Sequence, residues 1–322
     1  MSIGSSTSFN FLAPVDDEMH RPLWSVMIPT YNCADYLRET LGSVLEQDPG
    51  PEQMQIMVVD DASNDRPEDI VMELGKGRVG FYRQVSNEGH INNFESALNF
   101  SRGHLIHLLH GDDRVIWGFY REMEKLFEQL PDISAGFCRH YFIGKDGDQG
   151  YITPIIQETG MMSDFFEKML QENLVQTPSM VVKRSVYEKI GMFDHRFICK
   201  EDYEMWLRIG KYFKVGYCKR PLAEYRNYHG SHTTRTINQN WDTMLLLQEI
   251  KSSYNEGLVQ NLEQIHQQSM ATMAWYNIQT LLQMNEPKAA SDLMRKTLKL
   301  NIPMKQKLRV LKAYFKGLKF RN

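Results

Sequence analysis

The sequence predicts an α/β domain built on a mostly parallel sheet, followed by an all-helical extension. Two observations carry this. In the first part of the chain, strand-length apolar runs alternate with stretches of helical periodicity, the pattern of a sheet covered on both faces. From about Thr236, glycine becomes rare and Leu, Gln, Met, Lys and Ala dominate, which reads as a succession of helices. The expected division is a polar lead-in at 1–22, the α/β domain at 23–235 and the helical extension at 236–322.

The apolar runs 25–28, 55–59, 79–83 and 105–109 are of strand length and are mostly bounded by turn or polar residues. Between the first two, Tyr36, Leu37, Thr40, Leu41, Val44 and Leu45 recur at helical spacing, with Asp35 as the candidate N-cap. Asp65 with Pro67 opens a second helix, since proline suits the first turn. Ile91, Phe94, Ala97 and Leu98 form a third helical stripe. Past Pro131 the pattern loosens. A strand pair is expected at 137–143 and 150–156, helices at 163–170 and Glu201–Tyr212, and short strands at 179–182, 214–218 and 223–226. The extension should break at Asn285-Glu286-Pro287 and again near Asn301-Ile302-Pro303.

A chain of 322 residues with 42% hydrophobic content can bury a substantial core. Its net charge of −3 gives no global pull toward nucleic acid. Cys33, Cys138, Cys199 and Cys218 are scattered, with no CxxC pair and no zinc spacing, so they read as reduced thiols. No apolar run reaches the ~20 residues needed to span a bilayer. The N-terminus is polar and acidic where a signal peptide is basic and then apolar. The expected location is cytoplasmic, and Asn99-Phe100-Ser101 is then no glycosylation site.

The most informative segment runs from an apolar strand straight into His110-Gly111-Asp112-Asp113. In an open parallel sheet, ligands bind beyond the carboxyl ends of the strands. Adjacent carboxylates there repel one another unless a cation lies between them, and Mg2+ or Mn2+ suits such oxygen ligands. The bland alternative is a solvated acidic turn, and His110 reads either as a ligand or as a hydrogen-bonded strand-end histidine. Pro29, Thr30 and Tyr31 follow the first strand, and Asp60 and Asp61 end the second. A carboxylate at that edge can accept a hydrogen bond from a base or a ribose, and an aromatic face can stack on a base. For the acid pair, a turn or a helix cap is the plainer account.

Four segments taken together, "SVMIPTYN", "IMVVDDASND", "SNEGHINNFESALNFSRGHLIHLLHGDD" and "GMFDHRFICKEDYEMWLRI", resemble family-two glycosyltransferases of the GT-A fold. The resemblance spans roughly residues 23–235. It implies a Rossmann-like mixed sheet and inverting transfer of a sugar from a nucleotide diphospho-sugar, with a UDP-sugar favoured, to an acceptor hydroxyl. Hexosyl or N-acetylhexosaminyl transfer in polysaccharide or glycan assembly is the implied class. Pro29, Thr30 and Tyr31 match the loop lining the nucleotide pocket, and Asp61, with Asp60 beside it, matches the base-reading acid. Asp112 and Asp113 match the ribose and metal motif, with Asp113 the metal ligand. His110 stands where the commonest form has another Asp, which leaves open the group that holds the ribose. In Glu201-Asp202 the resemblance places the general base on Asp202, with Glu201 positioning it or the acceptor. The base takes the proton of the acceptor hydroxyl; plain helix capping is the other account of this pair. Arg226 is implied as a phosphate contact, with a buried structural arginine as the alternative. His229, with His232 competing, is implied as a further metal ligand, and 176–179 matches the acceptor side. The implied partners are the donor and a saccharide or lipid-linked saccharide acceptor, without nucleic acid.

Gly75-Lys76-Gly77-Arg78-Val79-Gly80 matches GxGxxG literally. It follows a helix and enters a strand, the reverse of a dinucleotide fingerprint, so it reads as a helix end and turn. At the C-terminus, Met304, Leu308, Leu311, Phe315 and Leu318 make an apolar stripe among seven basic residues, with no acid from Asn301 onward. Such a helix either docks its stripe on the protein or lies on a membrane surface, so residues 303–322 carry an expected peripheral contact at the inner face of the membrane. A nucleotidyltransferase and a non-catalytic nucleotide-binding scaffold are the competing functions; the first would need a glycine-rich basic loop where Pro29-Thr30-Tyr31-Asn32 stands.

Overall fold

A computed structural model of the chain describes residues 10–16, 18, 20–227, 237–283 and 286–319. The chain divides into two compact units, Met1–Phe166 with Asn173–Arg196 and Glu201–His229, and Gly230–Asn322 with Glu167–Glu172 and Phe197–Lys200.

The first unit begins with β1 (Trp24–Thr30), α1 (Ala34–Leu45), β2 (Met54–Asp60), α2 (Pro67–Gly75), β3 (Gly80–Arg83), α3 (His90–Phe100) and β4 (Leu105–Leu108). There follow β5 (Arg114–Val115), α4 (Phe119–Gln129), β6 (Ala135–Ile143), β7 (Gln149–Ile152), β8 (Gly160–Met162) and α5 (Phe165–Gln171), of which only Phe165 and Phe166 belong to this unit. A 3-10 turn (Thr177–Ser179) leads into β9 (Met180–Lys183), α6 (Arg184–Ile190), α7 (Glu201–Tyr212) and β10 (Val215–Arg226).

The strands form one sheet in the order β3-β2-β1-β4-β9-β6-β10-β5, with β7 on β6 and β8 on β10. β3, β2, β1 and β4 are parallel, whereas β9 runs antiparallel to both β4 and β6. The sheet is therefore mixed. All seven residues of β1 are buried, as expected of a central strand covered on both faces. Trp24, Val26 and Ile28 enter one cluster with Leu37, Leu41 and Val44 of α1, because alternate residues of a strand share a face. The chain leaves β1 for β2 on one side and returns through α3 to β4 on the other. The carboxyl ends of β1 and β4 thus flank a topological switch point, where such sheets bind ligands.

Local details differ from the expectations. α1 starts at Ala34, and Asp35 lies inside its first turn. The carboxylate of Asp65 caps α1 from outside, accepting from the Ala34 N–H at 2.8 Å. The two short strands expected at 214–218 and 223–226 are one strand, β10, with register shifts at Cys218/Pro221 and Pro221/Ala223; proline cannot donate to the ladder there. At the GxGxxG match, Gly75 ends α2, Lys76 and Gly77 turn with positive φ (45° and 85°), and β3 follows. The turn reading holds.

The second unit is helical: α8 (Ile237–Tyr254), α9 (Leu262–Gln283), α10 (Pro287–Leu298) and α11 (Met304–Lys319). The helix boundaries agree with the breaks expected around Pro287 and Pro303. Its core gathers Trp241, Met270, Ala274, Ile278, Leu281, Ala290, Leu293, Val310 and Ala313. Among the described residues, no helix is long and apolar enough to cross a membrane.

Lys251 on α8 is 4% exposed, and burial pulls its ammonium down to about 7 against the opposing charge of Glu172. The unfolded chain then holds that proton more tightly than the folded one. Stability linked to Lys251 rises with pH above about 7, by up to about 1.4 kcal/mol per pH unit. Lys251→Met is expected to melt a few degrees higher at neutral pH and to lose that rise. Scanning calorimetry at several pH values checks this, and an unchanged pH dependence would refute it.

Candidate active site

Three loops leave the carboxyl ends of parallel β1, β2 and β4, and backbone hydrogen bonds stitch them together. The Asp61 N–H donates to the Thr30 carbonyl, and the Gly111 N–H donates to the Pro29 carbonyl, both at 3.0 Å. A Cβ on Gly111 would come within 2.8 Å of Thr30 Oγ1 and 2.9 Å of Cys33 Sγ, so only glycine lets the acidic loop sit this close to β1. From α1, the Thr40 hydroxyl lies 3.0 and 2.8 Å from the carbonyls of Gly111 and Asp113 and shares its one proton between them.

In this frame Asp113 is 1% exposed. Its Oδ1 accepts the Arg226 N–H at 2.8 Å, whereas its buried Oδ2 has no hydrogen-bond partner. His110 Nδ1 lies 3.9 Å from that oxygen. One ligand atom each from His110, Asp112 and Asp113 fits within 4.8 Å of the others. Burial pushes the Asp112 carboxyl up to about 6, and burial plus the charge of Asp112 pushes Asp113 well above the usual carboxylate range. A buried carboxylate oxygen without a partner, a second acid and an imidazole at this spacing fit a small divalent cation. His229 and His232 lie outside the described residues.

Arg226 is spent differently from the expected phosphate contact. Its side chain is fully buried. It donates to the carbonyls of Asp112 (2.8 Å), Gly144 (3.1 Å) and Lys145 (2.8 Å) and to the Glu39 carboxylate (2.8 Å), and it lies over the Tyr36 ring. Four of its five N–H groups are engaged. Arg114 reinforces the assembly through Glu39 and Glu224. Arg226 thus holds the acidic loop in place rather than aiming at a phosphate.

Asp60 also turns inward. It is fully buried and accepts from the N–H and hydroxyl of Ser63, with Arg83 at 3.2 Å. This fixes the turn after β2 and removes Asp60 from the groups facing a ligand. Asp61 accepts the Glu88 and Gly89 N–H groups at 2.7 and 3.0 Å, one on each oxygen, and each oxygen keeps a lone pair. Burial raises its carboxyl, and the two N–H groups oppose that rise. Pro29 and Thr30 are buried and serve the loops through their carbonyls, while Tyr31 is 47% exposed and presents its ring.

Asp202 lies in the first turn of α7. Its Oδ1 accepts the Tyr203 N–H at 2.7 Å, and Thr177 Oγ1 donates to its Oδ2 at 3.4 Å. The Thr177 turn is in turn held by His107 on β4, whose Nε2 meets the Pro178 carbonyl at 3.0 Å; burial keeps this histidine neutral, at about 4. Glu201 lies 3.5 Å from His90. Burial acts to lower the His90 pKa, but the hydrogen bond to Glu201 and the charges of Glu201, Asp202 and Asp61 raise it overall. Burial acts to raise Glu201, and His90 overturns that effect, leaving it lowered. His90 therefore ties the acids of α7 to the Asp61 loop. The Phe94 ring lies between two imidazoles, stacked on His110 at 4.7 Å and edge-on to His90 at 5.5 Å. The sequence pattern marked Phe94 only as core and did not single out His90; no local spacing signals either role.

Residues 25–191 match the family model described as "Glycosyl transferase family 2". This is more than half of the chain. The protein belongs to glycosyl transferase family 2. This glycosyltransferase is 29% identical over 213 residues to the uncharacterized glycosyltransferase MJ1057 of Methanocaldococcus jannaschii, covering 65% of this chain and 72% of that protein. It is 26% identical over 240 residues to the putative teichuronic acid biosynthesis glycosyltransferase TuaG of Bacillus subtilis, covering 72% and 89%. A crystal structure of S. aureus TarS 1-349 in complex with UDP-GlcNAc superposes with a TM-score of 0.63 at 15% identity, over 92% of this chain and 88% of that one. The mannosyltransferase PcManGT of Pyrobaculum calidifontis, in complex with GDP-Man and Mn2+, gives 0.54 at 15% identity, over 97% and 90%. The mixed sheet with its helical extension is a GT-A-like fold. The family-two glycosyltransferase moves a sugar from a nucleotide donor to an acceptor. Family membership sets aside the nucleotidyltransferase and scaffold alternatives.

Proposed function

We propose that this glycosyltransferase is a divalent-metal-dependent, inverting enzyme that transfers a sugar from a UDP-sugar to a saccharide hydroxyl, free or lipid-linked, in cell-surface polysaccharide assembly. The observation that carries it is the edge where the partnerless Asp113 Oδ2, Asp112 and His110 converge beside Asp61 and the Glu201-Asp202 pair. Asp113, with Asp112 and His110, would hold the cation, and the imidazole favours Mn2+ over the harder Mg2+. When bound, the cation neutralises the diphosphate as it leaves. Asp61 would accept the imide N–H of uracil, Tyr31 would stack on the base, and Asp112 would meet the ribose. Asp202 would take the acceptor proton, with Thr177 and the Glu201–His90 pair holding it in place. A single base with no second carboxylate as nucleophile gives inversion. The TuaG relative, a putative teichuronic acid biosynthesis glycosyltransferase, supports the polysaccharide assignment, the TarS complex with UDP-GlcNAc supports the UDP-sugar donor, and cytoplasmic action is part of the proposal.

The test is a panel of nucleotide-sugars assayed for Mn2+-dependent binding and slow donor hydrolysis. UDP-sugars should bind at least about tenfold more tightly with Mn2+ than with EDTA, a gain of about 1.4 kcal/mol. Equal binding in both conditions, or preference for another base, would overturn the corresponding part.

A further inference from the structure

The apolar stripe at the C-terminus does not close the helical core. α11 packs inward through Val310 and Ala313, 1% and 6% exposed. Met304, Leu308 and Phe315 face the other way, at 70%, 48% and 56% exposure. Their spacings of four and seven put them on one face of the helix. By the same helical geometry, Lys305 and Lys312 border this stripe on one side and Lys307 on the other. Arg309 lies over the Trp275 ring at 4.5 Å.

Charge points to the occupant of this face. Residues 286–322 contain eleven basic and two acidic residues, in a chain whose net charge is −3. The remainder is therefore net acidic, and positive charge is concentrated at one end. Such asymmetry is a mark of binding to an anionic surface. Nucleic acid would satisfy the lysines but leave three large apolar side chains in water. A second copy pairing through the same stripe would set Lys305 and Lys312 against their own counterparts. A lipid surface accepts the apolar stripe at the acyl boundary and the lysines at its headgroups.

We propose that the exposed face of α11 lies on an anionic lipid surface, with Met304, Leu308 and Phe315 inserted at the headgroup boundary. The docking serves a membrane-bound acceptor but does not depend on the identity of the donor or the metal.

The test uses the full chain with vesicles of phosphatidylcholine alone and of phosphatidylcholine mixed with phosphatidylglycerol. The protein should sediment with the mixed vesicles, not with phosphatidylcholine alone, and added salt should weaken binding. Leu308→Ser with Phe315→Ser should lower partitioning by about tenfold or more. Lys305→Glu with Lys312→Glu should remove the preference for phosphatidylglycerol. All four positions are exposed, so melting temperature and transfer to a soluble acceptor should stay unchanged, which separates this test from that of the catalytic assignment. Absence of vesicle binding, undiminished binding by the serine variant, or a concentration-dependent dimer or DNA binding in its place overturns the proposal.

Discussion

Replacing Asp202 by Asn is expected to lower kcat by about a thousandfold or more while leaving nucleotide affinity within about twofold. The amide keeps the shape of the carboxylate. Its oxygen can still accept from the Tyr203 N–H or the Thr177 hydroxyl, so the first turn of α7 should keep its geometry. What is lost is the ability to take a proton from the acceptor. Nucleotide binding is read by calorimetry and transfer by product release. Glu201 gives a useful contrast. It is paired with His90, so Glu201→Gln weakens a brace rather than removing the base, and its effect should be the smaller one. Transfer near the unaltered rate in the Asp202 variant would remove Asp202 from the role of base.

Asp113→Asn is expected to stabilise the metal-free protein and to abolish its activity. The sign follows from the raised carboxyls. An acid whose folded pKa lies above its unfolded value contributes stability that is complete below the unfolded pKa, near 3.8, and is lost as pH rises through the folded value. For Asp112 that loss runs from the unfolded value and is complete above about 6, and Asp113 lies well above its ordinary value. At neutral pH the metal-free loop therefore carries unfavourable buried charge. The amide removes the repulsion between the two buried carboxyls, and the melting temperature should rise by several degrees, about 2–4 °C for each kcal/mol recovered. With Mn2+ at a hundred times its Kd, the unaltered protein gains about 2.7 kcal/mol by linkage, and the variant should gain almost none. Transfer should fall by about a thousandfold or more. Thermal melts with and without Mn2+ check both halves. A variant that melts lower without metal, or keeps the full Mn2+ shift, contradicts the assignment.

The sequence by itself determined the secondary structure of the switch-point strands, the whole of α7, the helical extension and the places of the acids along them. Each of these is written in local periodicity or adjacent residues. The runs of β1 and β4 are buried throughout because both faces are covered, and the acids stand at the end of β2 and a few residues past β4. Only the tertiary structure decided which way those polar groups face. Asp60 and Asp61 are neighbours, yet the turn sends one to Ser63 and Arg83 and the other to the amides of Glu88 and Gly89. Arg226 is an internal brace because Glu39, 187 residues away, comes within 2.8 Å of it. His90 acts beside Glu201 for the same reason: the partners meet only after the sheet is assembled. On α11 the stripe was legible, but its exposure was not. The periodicity of a helix shows that it has an apolar face, and only the packing of its neighbours shows whether that face is covered.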